Sequence, residues 1–144
     1  MAVRRRQALL RLLDANANRA LEGIRVCEEI ARFRFESPRM FRRLRALRHA
    51  IGQAVRRLPV TAVDLVRARQ SRRDLGRRVF GSQVTSLERT LLINFQRAKE
   101  ALRTLEECTR LLAPRHTAVF QLLRFRTYEA ERDALLFLAA LRDH

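Results

Sequence analysis

A chain of 144 residues can bury a real core, and 47% hydrophobic residues with four glycines and three prolines exclude a disordered or fibrous chain. Its 31 Lys and Arg against 15 Asp and Glu leave a net charge of +16 and a sequence pI near 11.8. Such an excess calls for an anionic partner: nucleic acid, membrane phosphate or a phosphorylated metabolite. Lys99 is the single lysine. Arginine grips phosphate with a planar fork, but genomic base composition explains arginine usage equally well. Leu, Ala, Arg and Glu favour helices, Trp is absent and β-branched residues are sparse, so an all-α fold is expected. Cys27 and Cys108 sit within helical patterns, without a CxxC spacing, and read as buried thiols of a reducing compartment. No uncharged apolar run is long enough to cross a bilayer, and a cytoplasmic protein with no membrane partner is expected.

From about Leu9 to Arg34 the pattern is helical, with Ala20, Ile24, Cys27 and Ala31 forming an apolar stripe. Ser37 and Pro38 read as N-cap and first helical residue of a second helix that runs to about Arg57, with Phe41, Leu44, Leu47 and Ile51 inward. Leu58-Pro59 stops it, and a short helix from Thr61 to Ala68 follows. Residues 69–83 (RQSRRDLGRRVFGSQ) lack periodicity. Thr85 and Glu88 have the spacing of a capping box for a fourth helix reaching Leu112, where Pro114 ends it. A last helix runs from about Arg115 to Leu141, and its Leu135, Leu136 and Leu138 offer either a homodimer face or closure of the bundle. Short links between long helices predict an antiparallel bundle of about five helices in a single domain, residues 1–144.

Self-similarity carries the functional argument. Residues 16–32 (NANRALEGIRVCEEIAR) and 94–110 (NFQRAKEALRTLEECTR) agree at eight of 17 positions: Asn16/Asn94, Arg19/Arg97, Ala20/Ala98, Glu22/Glu100, Arg25/Arg103, Glu28/Glu106, Glu29/Glu107 and Arg32/Arg110. Duplicated helices ordinarily keep their apolar face and let the solvent face drift; here mostly polar residues are kept. At about 100° per residue, Asp14, Asn18, Glu22, Arg25 and Glu29 share one sector, as do Gln96, Glu100, Arg103 and Glu107. Asn16 and Asn94 fall beside the apolar stripe, where an amide needs a partner. As surface ion pairs alone these residues would contribute about 0.2–0.5 kcal/mol each. As a paired set they predict two helices facing one pocket, with carboxylates for Mg²⁺ and guanidiniums for phosphate.

The run from Asp14 to Phe33 (DANANRALEGIRVCEEIARF) closely resembles the opening signature of a hydroxymethylpyrimidine phosphate kinase, a helical domain often fused ahead of thiamine phosphate synthase in bacterial thiamine biosynthesis. Arg48-His49, Arg69 with Arg73-Asp74-Leu75-Gly76, the run Asn94 to Glu107, and Arg124-Phe125 with Tyr128 and Glu131 resemble its later motifs in order, so the likeness spans roughly residues 9 to 132. The resemblance implies phosphoryl transfer from ATP to 4-amino-5-hydroxymethyl-2-methylpyrimidine phosphate, giving the diphosphate. Phe125 stands where the family pattern leads one to expect tyrosine, and the synthase part has no counterpart in these residues.

The sequence has neither a GxxxxGKS/T phosphate loop nor a Gly-rich kinase loop. Phosphoryl transfer chiefly needs in-line positioning, metal ions and positive charge on the moving group. Glu22, Glu29, Glu100 and Glu107 are therefore expected to hold Mg²⁺. Arg19, Arg25, Arg48, Arg69, Arg97 and Arg103 are expected on phosphates, and Asn16, Asn18 and Asn94 to orient the aminopyrimidine or the carboxylates. Residues 69–76 form a candidate lid bringing Arg69, Arg73 and Asp74 over the substrates. Asp74, then His49, are the candidates for accepting the substrate hydroxyl proton. Tyr128 reads as a core-edge aromatic before a base-stacking platform. Two alternatives stand beside this reading: a non-catalytic helical partner or regulator of thiamine phosphate synthase, and a basic nucleic-acid-binding domain, which the mixed acidic and basic face disfavours.

Overall fold

In the computed structural model, which describes residues 2–81 and 83–143, every regular element is helical: α1 (Ala2–Phe33), α2 (Pro38–Arg56), α3 (Ala62–Ala68), α4 (Leu87–Leu112) and α5 (Thr117–Arg142). Single 3₁₀ turns at Ser71–Arg73 and Pro114–His116 lie in the links before α4 and α5. The all-α bundle expected from the composition is the fold observed. None of the helices is long and apolar enough to cross a membrane, among the described residues.

The helix ends follow local chemistry, with two departures from the sequence reading. Ser37 accepts from the Met40 N–H at 3.2 Å, with Pro38 behind it, as the spacing predicted. Ahead of α4 the cap is Ser86, which accepts from the Arg89 N–H at 3.0 Å, rather than Thr85. A reciprocal capping box forms instead at Thr61 and Asp64, both bonds being about 3 Å. The first helix begins at Ala2 rather than near Leu9, because its arginine- and alanine-rich start suits a helix even where little of it is buried.

The bundle is two helical hairpins, α1–α2 and α4–α5, joined through an antiparallel α1–α4 contact that is the largest in the fold. Ala20, Ile24, Cys27 and Ala31 are fully buried, facing Leu91, Phe95, Ala98, Leu102 and Leu105. Burial pushes the Cys27 thiol pKa up, and its S–H donates to the Leu91 carbonyl at 3.5 Å. Gly23 lets the two helices approach closely: a methyl group there would stand 3.0 Å from the Asn94 carbonyl oxygen and 3.4 Å from the Ala98 Cβ. Of the three α5 leucines considered for a dimer face, Leu135 and Leu136 are exposed, whereas Leu138 is buried and closes the bundle.

Each hairpin is locked by the same device. Glu28 and Glu106, equivalent in the repeat, are both only 1% exposed. Arg48 from α2 clamps Glu28 through Nε at 2.5 Å and Nη2 at 3.2 Å. Arg124 from α5 clamps Glu106 in the same fork, its Nη2 at 3.2 Å. These hydrogen bonds raise both guanidinium pKa values, so both arginines stay cationic. A buried carboxylate is tolerated because its partner is bidentate; without the partner the charge is stranded. Arg124→Ala is therefore expected to lower stability by about 3–5 kcal/mol in denaturant unfolding, while replacing both members of the pair by methionine should recover most of that loss.

Candidate functional site

The antiparallel crossing of α1 and α4 turns the first half of each repeat toward the other. Asn16, Arg19 and Glu22 from α1 and Asn94, Arg97 and Glu100 from α4 line one cleft of about 480 Å³, floored by Gly23 and Ala101 and edged by Thr104. Two equivalent triads, each an amide, a guanidinium and a carboxylate, thus share one space. The two amides are buried and satisfied in the same manner: Asn16 donates to the Leu12 carbonyl and Asn94 to the Thr90 carbonyl, each at 2.9 Å. The Glu100 carboxylate accepts from the Gln96 amide at 2.9 Å. Arg19, Glu22, Arg97 and Glu100 keep their charged ends open to solvent.

A second hollow of about 550 Å³ adjoins the first, with Asn16 and Arg19 common to both. Its walls are Arg11, Asp14 and Asn18 of α1 and the start of the link to α4: Arg69, Gln70, Ser71 and Asp74. Arg69 holds this link down with a fork on the buried Asp14 carboxylate, Nε at 2.7 Å and Nη2 at 2.8 Å, which raises the Arg69 pKa. Asn18 completes the cluster with a 3.4 Å bond to Asp14. From there the link runs as a strap along the α1–α4 groove. A methyl group at Gly81 would lie 3.0 Å from the Arg97 Nη2, so the far end of the strap comes against one side chain of the cleft.

The remaining sequence candidates lie elsewhere, and several have other work. The Arg48 guanidinium is taken by Glu28 rather than left free for phosphate. Arg25 pairs with the half-buried Glu29, and Arg103 with Glu107 on the outer surface, each at 3.2 Å and four residues apart. Glu29 and Glu107 therefore do not join Glu22 and Glu100, and no group of three metal-ligating side chains assembles among the described residues. The sector argument failed there because the helices run antiparallel, so the second halves of the repeats part toward opposite ends of the contact, where Arg25 and Glu29 meet Leu87 and Thr90 at the start of α4. His49 lines a third hollow of about 700 Å³ between α1 and α2, with Glu22, Arg25, Arg48 and Arg56, and Glu22 is common to it and the cleft. Asp74 reaches the second hollow while accepting from the Gly76 N–H at 2.8 Å; Arg73 is exposed and lines neither space. Tyr128 lies under the Lys99 ammonium at 4.6 Å on the flank between α4 and α5, outside both hollows.

Sequence reasoning missed Arg11, Gln70, Ser71 and Thr104. Arg11 stands two turns before Asn18 on the same face, so periodicity contained its signal. Nothing local marks Gln70 or Ser71, whose place depends on the Arg69–Asp14 fork. Breaking that fork should free the strap: Arg69→Ala is expected to leave helical circular dichroism unchanged but to speed trypsin cleavage after Arg72, Arg73, Arg77 and Arg78 several-fold.

The sequence model of the ThiD2 family matches residues 11–133. Over 131 residues the chain is 37% identical to a thiamine-phosphate synthase of Synechocystis, covering 89% of this chain and 36% of that protein. It is 33% identical over 138 residues to one from Rhodopirellula baltica (94% and 36%), and 36% identical over 138 residues to one from Gloeobacter violaceus (93% and 38%). The chain thus spans little more than a third of the length of these relatives. No solved structure matches it.

Proposed function

This chain belongs to the ThiD2 family, and from that premise we propose that it is a kinase of thiamine biosynthesis, transferring a phosphoryl group from ATP to 4-amino-5-hydroxymethyl-2-methylpyrimidine phosphate. The product diphosphate would be the substrate of a thiamine-phosphate synthase, the name borne by the relatives that contain a segment like this chain. One observation carries the reading: the triads Asn16–Arg19–Glu22 and Asn94–Arg97–Glu100 line the same cleft.

That cleft suits a reaction between two phosphorylated molecules. Donor and acceptor approach a transferring phosphoryl group from opposite sides, and each repeat offers one guanidinium to one side. Arg19 and Arg97 would grip phosphate oxygens bidentately and oppose the charge spread over the moving group. Arg11 and Arg69, in the adjoining hollow, extend the basic lining for a longer phosphate chain. Volumes of about 480 and 550 Å³ lie in the range of small-molecule sites. Mg²⁺ usually takes one or two carboxylates and completes its shell with phosphate oxygens and water, so Glu22 and Glu100 fit it without Glu29 and Glu107. When bound, such an ion would supply positive charge against the phosphates. Asp74, at the rim of the second hollow, is the nearer candidate for receiving the hydroxyl proton than His49, which lies on the α2 side of α1. The strap would exclude water from the transferring group.

The test is an assay of the purified chain with ATP, Mg²⁺ and the pyrimidine monophosphate, followed by phosphorus NMR for the diphosphate. Arg97→Ala and Glu22→Gln are each expected to lower kcat/KM by about a hundredfold or more with unchanged circular dichroism. Arg103→Ala, which breaks only a surface pair, should stay within a few-fold of wild type. No turnover by the wild type would return the chain to the docking-module alternative.

A further inference from the structure

The strap carries apolar side chains that the fold itself does not use. Leu75 is 97% exposed, Phe80 91% and Val79 74%. Phe80 is the one aromatic residue between Arg69 and Ser86. It immediately precedes Gly81, whose backbone rests against the Arg97 guanidinium at the cleft. The strap is tied at one end by the Arg69–Asp14 fork, and α4 is tied just beyond the other by Ser86 as cap and by Arg34–Glu88 at 3.1 Å. Phe80 thus stands one residue from the contact with Arg97, with its ring in water. The two hollows beneath contain amides, guanidiniums and carboxylates but no aromatic side chain. They can hold phosphate; neither offers a face on which a flat heterocycle could stack.

We propose that Phe80 is a specificity residue that stacks on the heteroaromatic ring of a phosphorylated ligand lying in the α1–α4 cleft. The inference rests on the kinase reading, in which both substrates carry such a ring, and the ring is that of the nucleotide or that of the pyrimidine phosphate. Stacking buries an exposed aromatic face against a ring whose phosphates are gripped by Arg19 and Arg97, so one ligand satisfies both the charged floor and the apolar roof. Closure of the strap is then linked to a ring-bearing ligand rather than to phosphate alone.

The experiment is calorimetric titration of wild type, Phe80→Ala and Phe80→Tyr with ADP, with the pyrimidine monophosphate and with inorganic pyrophosphate, which has no ring. Phe80→Ala should raise Kd for at least one ring-bearing ligand by about tenfold, and Phe80→Tyr should restore it. Pyrophosphate should bind all three proteins within about twofold. The ligand that responds identifies which ring is stacked. Because the chain has no tryptophan, Phe80→Trp supplies a single fluorophore whose emission should move with that ligand and not with pyrophosphate. If wild type binds the ring-bearing ligands and Phe80→Ala binds both equally well, the stacking role is overturned while the kinase reading stands. If sedimentation shows instead that Phe80→Ala only dissociates a dimer, the ring serves a second copy and the proposal is overturned. If wild type binds none of the three, the kinase reading falls and takes the proposal with it.

Discussion

Glu28 and Glu106 are charged groups placed where a leucine would ordinarily sit, and the arrangement of everything around them follows from how that charge is held. A carboxylate taken out of water is costly unless nearly all its oxygen lone pairs are met, and a planar guanidinium meets two in one fixed geometry. Because the fork has one geometry, it sets more than the distance between helices. It sets the rotation of α1 against α2 and of α4 against α5. Leucines packed there would tolerate a small roll of either helix; a bidentate ion pair does not. The α1–α4 contact, close at Gly23 against Asn94 and Ala98, then sets Arg19 and Glu22 across one cleft from Arg97 and Glu100.

Much of this was legible in the residues, and where it was not the reason is geometric. The apolar stripe Ala20, Ile24, Cys27, Ala31 located the core face of α1 because its period is that of the helix. Glu28 was written in the same stripe, four residues after Ile24 and three before Ala31, so its burial was open to the same argument. Its partner was not, since nothing local joins Glu28 to Arg48 or Glu106 to Arg124. The repeat placed Glu22 and Glu100, and Arg19 and Arg97, on corresponding surfaces and led to a shared pocket. It also promised Arg25, Glu29, Arg103 and Glu107 to that pocket, and they stand outside it. A helical wheel records angle around an axis and ignores position along it, whereas two antiparallel copies bring only their first halves opposite each other.

The strap shows a different limit. Residues 69–83 lacked any period, and a segment without a period announces only that its path is decided elsewhere. Here the path is decided at its ends: Arg69 must reach the buried Asp14, and Ser86 must cap α4 beside the C-terminal end of α1. Between those anchors the chain lines the second hollow as far as Asp74 and comes against Arg97 at Gly81. Its arginines and its apolar side chains stand exposed from residue 69 to 81.

The eight repeated identities thus answer to separate physical demands, which explains why polar residues survived in both copies. Glu28 and Glu106 answer to folding, since losing either strands an arginine and losing the arginine strands a buried charge. Ala20 and Ala98 answer to the close crossing at Gly23. Arg25 with Glu29 and Arg103 with Glu107 make the same short pair on the surface, of the kind that contributes only a few tenths of a kcal/mol. Arg110 adds a contact to Glu107 at 3.8 Å and Arg32 lies over Phe33 and Phe41, which leaves Asn16, Arg19 and Glu22 with Asn94, Arg97 and Glu100. Their charged members gain nothing from burial, and none of the four forms an ion pair between the two helices that would join them. Folding alone does not require an exposed guanidinium and an exposed carboxylate at matching places on both sides of a cleft. A ligand with negative charge at its centre, approached from two sides, does.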